Sequence, residues 1–267
     1  MSARSIEVVQ RPLRVRTLEV RQVKRTAPRY QLVTFGGDDL ADFETLSPTD
    51  HVGIIPPSSR GELVLPDVEE GRLRWPDERP PMREYTVRRF DSAAGELDVR
   101  FLVHGSGAVS DWAAIAQPGE RVGVVGPRVS KVMPDGYPNY LLAGDLTAIP
   151  AISRWLSVLP EGATAQVVIA AGDEDDVIEL RCAQPISVRW LTAGGSSVAD
   201  QLPLALAALE LYAPDTWAWV AGEALAMREV RRVLLQKPGL SNETMKVTDY
   251  WRRDRSDFDY EAPPEAD

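Results

Sequence analysis

A chain of 267 residues with a formal net charge of −10 has no broad basic face with which to neutralise nucleic-acid phosphates, and an acidic membrane surface would repel it. One cysteine, Cys182, and two histidines, His51 and His104, exclude a disulfide framework, a cysteine-held iron–sulfur cluster and a histidine-rich metal centre. No apolar run approaches the roughly 18–20 residues that span a bilayer, and "MSARSIEVVQRPLRV" has no apolar signal core, so a cytoplasmic protein is expected, its hard chemistry carried by an organic cofactor.

The first half reads as short strands. "LRVRTLEVRQV" alternates with a phase slip near Thr17, where Leu13 and Val15 give way to Leu18 and Val20, and a bulge is expected there. "YQLVTF" (30–35) and "HVGIIPP" (51–57) follow. Next, "MREYTVRRFD" (82–91) sets Arg83, Arg88 and Arg89 around the β-prone run Tyr85-Thr86-Val87. Two readings stay open for it: a solvated strand face, or an anion site with a neighbouring aromatic ring. In "ELDVRFLVHG", Leu97, Val99, Phe101 and Val103 share one face at a period of two, and "RVGVVGP" (121–127) makes one more strand. Between them Ser110, Asp111 and Trp112 open a helix. Short strands separated by Gly, Pro and Asp turns predict an antiparallel barrel.

The pattern changes after "PDGYPNY" (134–140). "YLLA" is a short apolar strand, and Gly144-Asp145 turn into a helix carrying Ile149, Ile152, Leu156 and Leu159 at three- and four-residue spacing. "AQVVIAA" and "VRWLTA" are apolar strands, "VADQLPLALAALEL" is helical, and "WAWVAGEA" leads into the helix "LAMREVRRVLLQ". Strands alternating with helices predict a parallel α/β layer. The expected organisation is a barrel over 1–136, an α/β domain over 137–255, and a disordered acidic tail over 256–267.

Five segments, read in order, carry a family resemblance. "REYTVRRFD" resembles the R-x-Y-S/T-x-R flavin motif of the siderophore-interacting proteins, FAD-containing ferric-siderophore reductases related to ferredoxin reductases. "VHGSGAVSDWAAIAQPGERVGVVGPRVS" (103–130), "LLAGDLTAIPAISRWLSVLPEGA" (141–163), "AGEALAMREVRRVLL" and "DYWRRD" resemble that family's later signatures at the expected separations. Two positions depart: Ala108 stands where the family usually shows proline, and Leu146 where it carries glutamate, so one polar contact with the dinucleotide is missing.

The resemblance implies a ferredoxin-reductase-like layout, an FAD-binding barrel followed by an α/β nucleotide domain. It implies FAD as cofactor and NAD(P)H as donor, with a ferredoxin-like protein as the alternative donor. Arg83 would hold the FAD diphosphate, Tyr85 would lie against the isoalloxazine ring unless it is a barrel-core aromatic, and Thr86 would reach the N5 edge by hydroxyl or amide. Val103, His104 and Gly107 would approach the cofactor through the glycine loop, with Ser110 and Trp112 behind it, although Trp112 also suits the core. Asp145, Thr147 and Ala148 would meet the dinucleotide, or simply cap a helix. Lys246, Arg252 and Arg253, in "MKVTDYWRRDR", would gather an anionic ferric siderophore, or be surface residues of a terminal strand. No side chain is needed as a catalytic group or an iron ligand, and a monomer is expected. A flavin oxidoreductase acting on an organic substrate or serving a partner protein is the competing enzyme class, and a flavin-free siderophore carrier the non-enzymatic one.

Overall fold

The computed structural model describes residues 4–105, 107–134, 136–192, 198–211 and 215–253. Contacts divide them into two units: Ser5–Pro134, and a second from 136 onward that also takes in Arg4.

The first unit comprises β1 (Glu7–Gln10), β2 (Val15–Ala27), β3 (Tyr30–Gly36), β4 (His51–Ile55), β5 (Asp67–Glu69), β6 (Arg72–Arg74), β7 (Arg83–Asp91), β8 (Glu96–Leu102), α1 (Ala108–Ile115), β9 (Arg121–Val125) and β10 (Val129–Val132). Six of these strands close an antiparallel barrel in the order β2-β3-β8-β7-β4-β9, while β1 pairs with β10 and β5 with β6. Period-two alternation turns Leu97, Val99 and Phe101 inward against Leu18, Val20, Val33, Phe35, Val87, Val122 and Val124, and α1 lays Val109 and Trp112 on the same core.

The expected bulge at Thr17 is absent. The β2–β9 register runs unbroken from Val15↔Val125 to Glu19↔Arg121, and the irregularity lies further on, between Val20 and Gln22, against β3. What imitated a phase slip is Arg16, a charged residue at an inward position. Its guanidinium donates to the carbonyls of Asp39 (2.9 Å) and Gly126 (2.7 Å) and to the Asp42 carboxylate (2.9 Å), so a buried charge is fully partnered.

The second unit comprises β11 (Asn139–Asp145), α2 (Ile149–Val158), β12 (Thr164–Ala171), β13 (Ile186–Thr192), α3 (Val198–Ala208), β14 (Thr216–Glu223), α4 (Ala224–Leu234) and β15 (Met245–Trp251). All five strands run parallel in the order β13-β12-β11-β14-β15. β14 is buried along its whole length, which is why "TWAWVAGE" reads as a continuous apolar run rather than an alternation. The chain steps from β11 outward to β13, then returns to β11's other side as β14. Strand order therefore reverses between β11 and β14, and in open parallel sheets the crevice beyond the strand ends at such a point is where ligands bind. No helix among the described residues is long and apolar enough to cross a membrane.

Candidate functional site

In the barrel unit the motif strand is β7. Arg83 is exposed at its start, with Nη1 donating to the Met82 carbonyl at 2.7 Å, and its field reaches the Tyr85 hydroxyl two residues on. The Tyr85 ring packs on Phe101, centroids 4.4 Å apart and planes tilted by 52°, at the edge of the barrel core. Burial pushes its phenol pKa well above the ordinary value. The structure thus gives Tyr85 the core packing that the sequence left open. Thr86 is buried on the opposite face and pairs across the strands with His51, whose Nε2 lies 3.8 Å from the Glu84 carboxylate. The other two arginines part company. Arg89 is tied to Asp91 (2.9 Å), Glu96 (3.1 Å) and Asp98 (2.8 Å), whereas Arg88 makes no such pair among the described residues.

The loop after β8 brings several expected residues together. Val103 N–H donates to the Arg29 carbonyl at 2.7 Å. The Ser110 hydroxyl accepts from His104 N–H (3.2 Å) and lies 3.4 Å from the Leu102 carbonyl, so it staples the loop to the helix that follows. Gly107, with φ +115°, is the residue before α1, and His104 Cε1 comes within 3.8 Å of where a side chain would begin. Partial burial, then the nearby Arg29, hold the His104 imidazolium below its usual pKa. Ser106 lies outside the described residues. Trp112 packs as its core alternative has it: its ring stacks on Phe35 (6.5 Å, 15°) and meets Phe101 edge-on (5.8 Å), and its N–H donates to Glu120 at 2.9 Å. A ring enclosed on those sides, with its one donor already taken, belongs to the core.

In the α/β unit, Asp145 ends β11 at the crevice beside β14. One carboxylate oxygen accepts from Thr147 N–H (2.8 Å) and the Thr147 hydroxyl (2.5 Å). The other accepts from Trp251 Nε1 (2.8 Å) and Glu223 N–H (3.1 Å). Enclosure raises its pKa, opposed by these donors. Glu223 repeats the device at the end of β14: one oxygen caps α4 through Ala226 N–H (3.0 Å), the other accepts from Arg253 N–H (3.3 Å). Two glycines make the arrangement possible by close approach. A Cβ on Gly144 would sit 2.3 Å from the Ala221 carbonyl and 2.5 Å from the Ala148 side chain, and one on Gly222 would sit 2.8 Å from the Asp145 carboxylate. Because Thr147 gives both donors to Asp145, neither is left for an anion. The helix-cap alternative describes this turn.

The three expected substrate cations do not converge. Lys246 is the second residue of β15, beside Trp219, while Arg252 and Arg253 follow its end next to Glu223 and Asp145. Six residues of strand at ~3.3 Å each separate Lys246 from Arg252 by about 20 Å. Arg255 and the acidic tail lie outside the described residues. Sequence reasoning missed the Trp251–Asp145 bond, which no local pattern could signal across 106 positions, and the His51–Glu84 pair facing Thr86.

A six-stranded antiparallel barrel in one unit and a five-stranded parallel sheet in the other define the ferredoxin-reductase-like class. The ferredoxin reductase of carbazole 1,9a-dioxygenase shares this fold at a TM-score of 0.64 and 15% identity, over 90% of this chain and 70% of that one. Residues 19–131 match the siderophore-interacting FAD-binding domain and residues 137–254 the siderophore-interacting protein family. The chain belongs to the siderophore-interacting protein family. It is 30% identical to the NADPH-dependent ferric-chelate reductase of Escherichia coli, over 91% of this chain and 95% of that protein. It is 29% identical to the ferric vibriobactin reductase of Vibrio cholerae, over 92% of each. A crystal structure of a siderophore utilization protein from T. fusca superposes with a TM-score of 0.89 at 36% identity, covering 96% of this chain and 100% of that one.

Proposed function

We propose that the protein is an FAD-dependent reductase that passes electrons from NADPH to the iron of a ferric siderophore. The observation that carries this reading is β7, where an exposed Arg83 precedes Tyr85 and Thr86 on a strand of an FAD-binding barrel. The residues fit the cofactor: Arg83 offers a planar fork to a diphosphate, and no atom lies within 4 Å of where a side chain on Gly105 would begin, which leaves room beside the His104 loop. Bound FAD supplies the conversion of a two-electron donor into single-electron steps.

The chain's own residues bind and orient. Arg83 would hold the diphosphate, the Thr86 hydroxyl or amide would face the N5 edge, and Val103, His104 and Gly107 would approach the cofactor, with Ser110 fixing His104 through its N–H. At the crevice between β11 and β14, Asp145 and Glu223 set the strand ends against which a nicotinamide nucleotide would lie, with Ala148 and Gly222 as close-packed walls. Arg252 and Arg253 would draw in an anionic ferric complex. Hard ferric iron is gripped by oxygen ligands far more tightly than ferrous iron, so reduction releases it. A ferredoxin-like protein is the alternative donor. The reading places the protein in the cytoplasm, where an unpaired thiol such as Cys182 stays reduced.

Paired substitutions test it. Arg83→Ala removes a charge-assisted pair to the diphosphate, worth about 1.5–3 kcal/mol, and should weaken FAD binding about 10- to 150-fold. Arg89→Ala breaks only carboxylate pairs within the strand hairpin and should leave FAD affinity near wild type. Equal FAD affinity in the two variants would return β7 to a solvated strand face.

A further inference from the structure

The parallel sheet ends in two edge strands, β15 and β13, and the described residues guard them unequally. At β15 the Thr244 carbonyl accepts from Ala218 N–H (3.0 Å), so by the period of two Val247 faces the open side. Arg231 Nη2 covers the Val247 carbonyl there at 3.1 Å. At β13 the Pro185 carbonyl accepts from Ala165 N–H (3.1 Å), so Ser187, Arg189 and Leu191 also face β12. Ile186, Val188 and Trp190 then turn their N–H and C=O groups to the open edge, where they meet no partner among the described residues. Edge strands are ordinarily blunted by charge, proline or a bulge. Along its seven residues β13 carries one charge, Arg189, no proline and an unbroken register.

The side chains at this edge complement a second copy of themselves. Val188 pairs with Val167 and Trp190 with Ile169, on the face opposite Val168 and Ala170, which belong to the core under α3 and α4. Laid antiparallel about Val188, two β13 strands set Val188 against the partner's Val188, Ile186 against the partner's Trp190, and Ser187 against the partner's Arg189. Aromatic and β-branched residues pair favourably across strands, and no like charges stand directly opposite. Each outward-facing residue meets another in a hydrogen-bonded pair, and since such a pair exchanges two bonds, the three pairs supply about six. Centring on Arg189 instead would oppose arginine to arginine, with backbone groups already committed to β12.

We propose that the protein self-associates through β13 as a two-fold dimer centred on Val188, joining the two five-stranded sheets into one of ten. The occupant is a second copy because this one strand supplies both halves of the pairing. A single edge strand is a small contact, at the low end of specific interfaces, so the dimer is weak and forms with rising concentration. The inference goes beyond the reductase reading, since it follows from the sheet edge and holds whatever the reaction, and it replaces the monomer expected from the sequence.

Sedimentation equilibrium of the purified flavoprotein, from micromolar to near-millimolar, tests the dimer. The wild-type mass should rise from that of one chain towards that of two. Val188 is 38% exposed and lies on the two-fold axis, so a charge there is tolerated by the single chain and meets its own copy in the dimer. Val188→Lys and Val188→Glu should each weaken dimerisation at least tenfold, and an equal mixture of the two should recover it. Val188→Pro removes an N–H that faces the open edge, leaves the β12 ladder intact, and should weaken dimerisation as much. Flavin content of each variant reports that it has folded, and a variant that fails this check is set aside in favour of the proline one. A wild type that keeps the mass of one chain at the highest concentration overturns the proposal and leaves the edge to a different partner. A dimer that all three variants leave intact, or charged variants that stay apart when mixed, overturns it too.

Discussion

Replacing Asp145 with asparagine asks one substitution to report on the whole crevice. The carboxylate accepts from four donors, two on each oxygen, and an amide can turn only one oxygen toward them. Its NH2 must then face either Thr147 N–H or the Trp251 and Glu223 N–H pair. At least one part-buried donor loses its acceptor to solvent or to nothing, at a cost of up to about 1–3 kcal/mol. For a unit of this size each kcal/mol moves the unfolding midpoint by roughly 2–8 °C, so the α/β transition should fall by several degrees while flavin absorbance of the folded protein persists. The pH dependence has a definite sign. Enclosure raises the native pKa of Asp145 above that of an ordinary carboxylate, so its contribution to stability is fully present below the ordinary value and is lost as pH rises through the native pKa. Asparagine does not titrate. The gap between wild type and variant, read by urea unfolding followed through tryptophan fluorescence, should be largest at the acid end and shrink as pH rises. A variant as stable as wild type throughout would refute the donor arrangement, and a gap that widens with pH would show that the four donors outweigh enclosure.

Gly144→Ala places a methyl 2.3 Å from the Ala221 carbonyl, a clash with backbone that should cost about 1–3 kcal/mol or more, checked by urea unfolding of the variant. Trp112→Phe removes the bond to Glu120 and part of the Phe35 stack, so it should lower barrel stability while leaving FAD per folded molecule unchanged; selective loss of FAD would restore Trp112 to the cofactor site. Arg252→Gln with Arg253→Gln should raise KM for an anionic ferric catecholate several-fold and make the reaction less salt-sensitive, whereas Lys246→Gln, about 20 Å away along β15, should change neither. A Lys246 effect as large as the arginine pair's would place the substrate along the strand rather than at its end.

The class of fold was legible because both halves announce themselves by period. "ELDVRFL" alternates and becomes β8 of a barrel, while "AQVVIAA" does not alternate and becomes β12, buried in a parallel sheet. Reading failed where a charged residue sits inward. Arg16 broke the apolar pattern of β2 and suggested a bulge, because hydropathy cannot reveal a guanidinium satisfied by the Asp39 and Gly126 carbonyls. In the site, Arg83 and the His104 loop could be chosen from the motif, yet two assignments depended on distance the sequence does not carry. Lys246 and Arg252 look adjacent in a ten-residue string, but an extended strand sets them far apart. Trp251 and Asp145, far apart in the string, share a hydrogen bond because parallel strands bring their ends to one edge. The difference between Arg88 and Arg89 was likewise invisible, since it rests on the β7–β8 register, which pairs Arg89 with Asp98 and leaves Arg88 as the extra residue of a bulge.

The central claim is that electrons travel from NADPH through protein-bound FAD to siderophore iron. Anaerobic stopped-flow mixing tests it directly: the yellow holoprotein is mixed with NADPH, then with a ferric catecholate and a ferrous trap, following flavin absorbance throughout. The account predicts that NADPH bleaches the flavin, that the ferric complex restores its colour, and that two Fe(II) are trapped for each FAD reoxidised. A colourless protein, or a reduced flavin that stays bleached when the ferric complex is added, would contradict it.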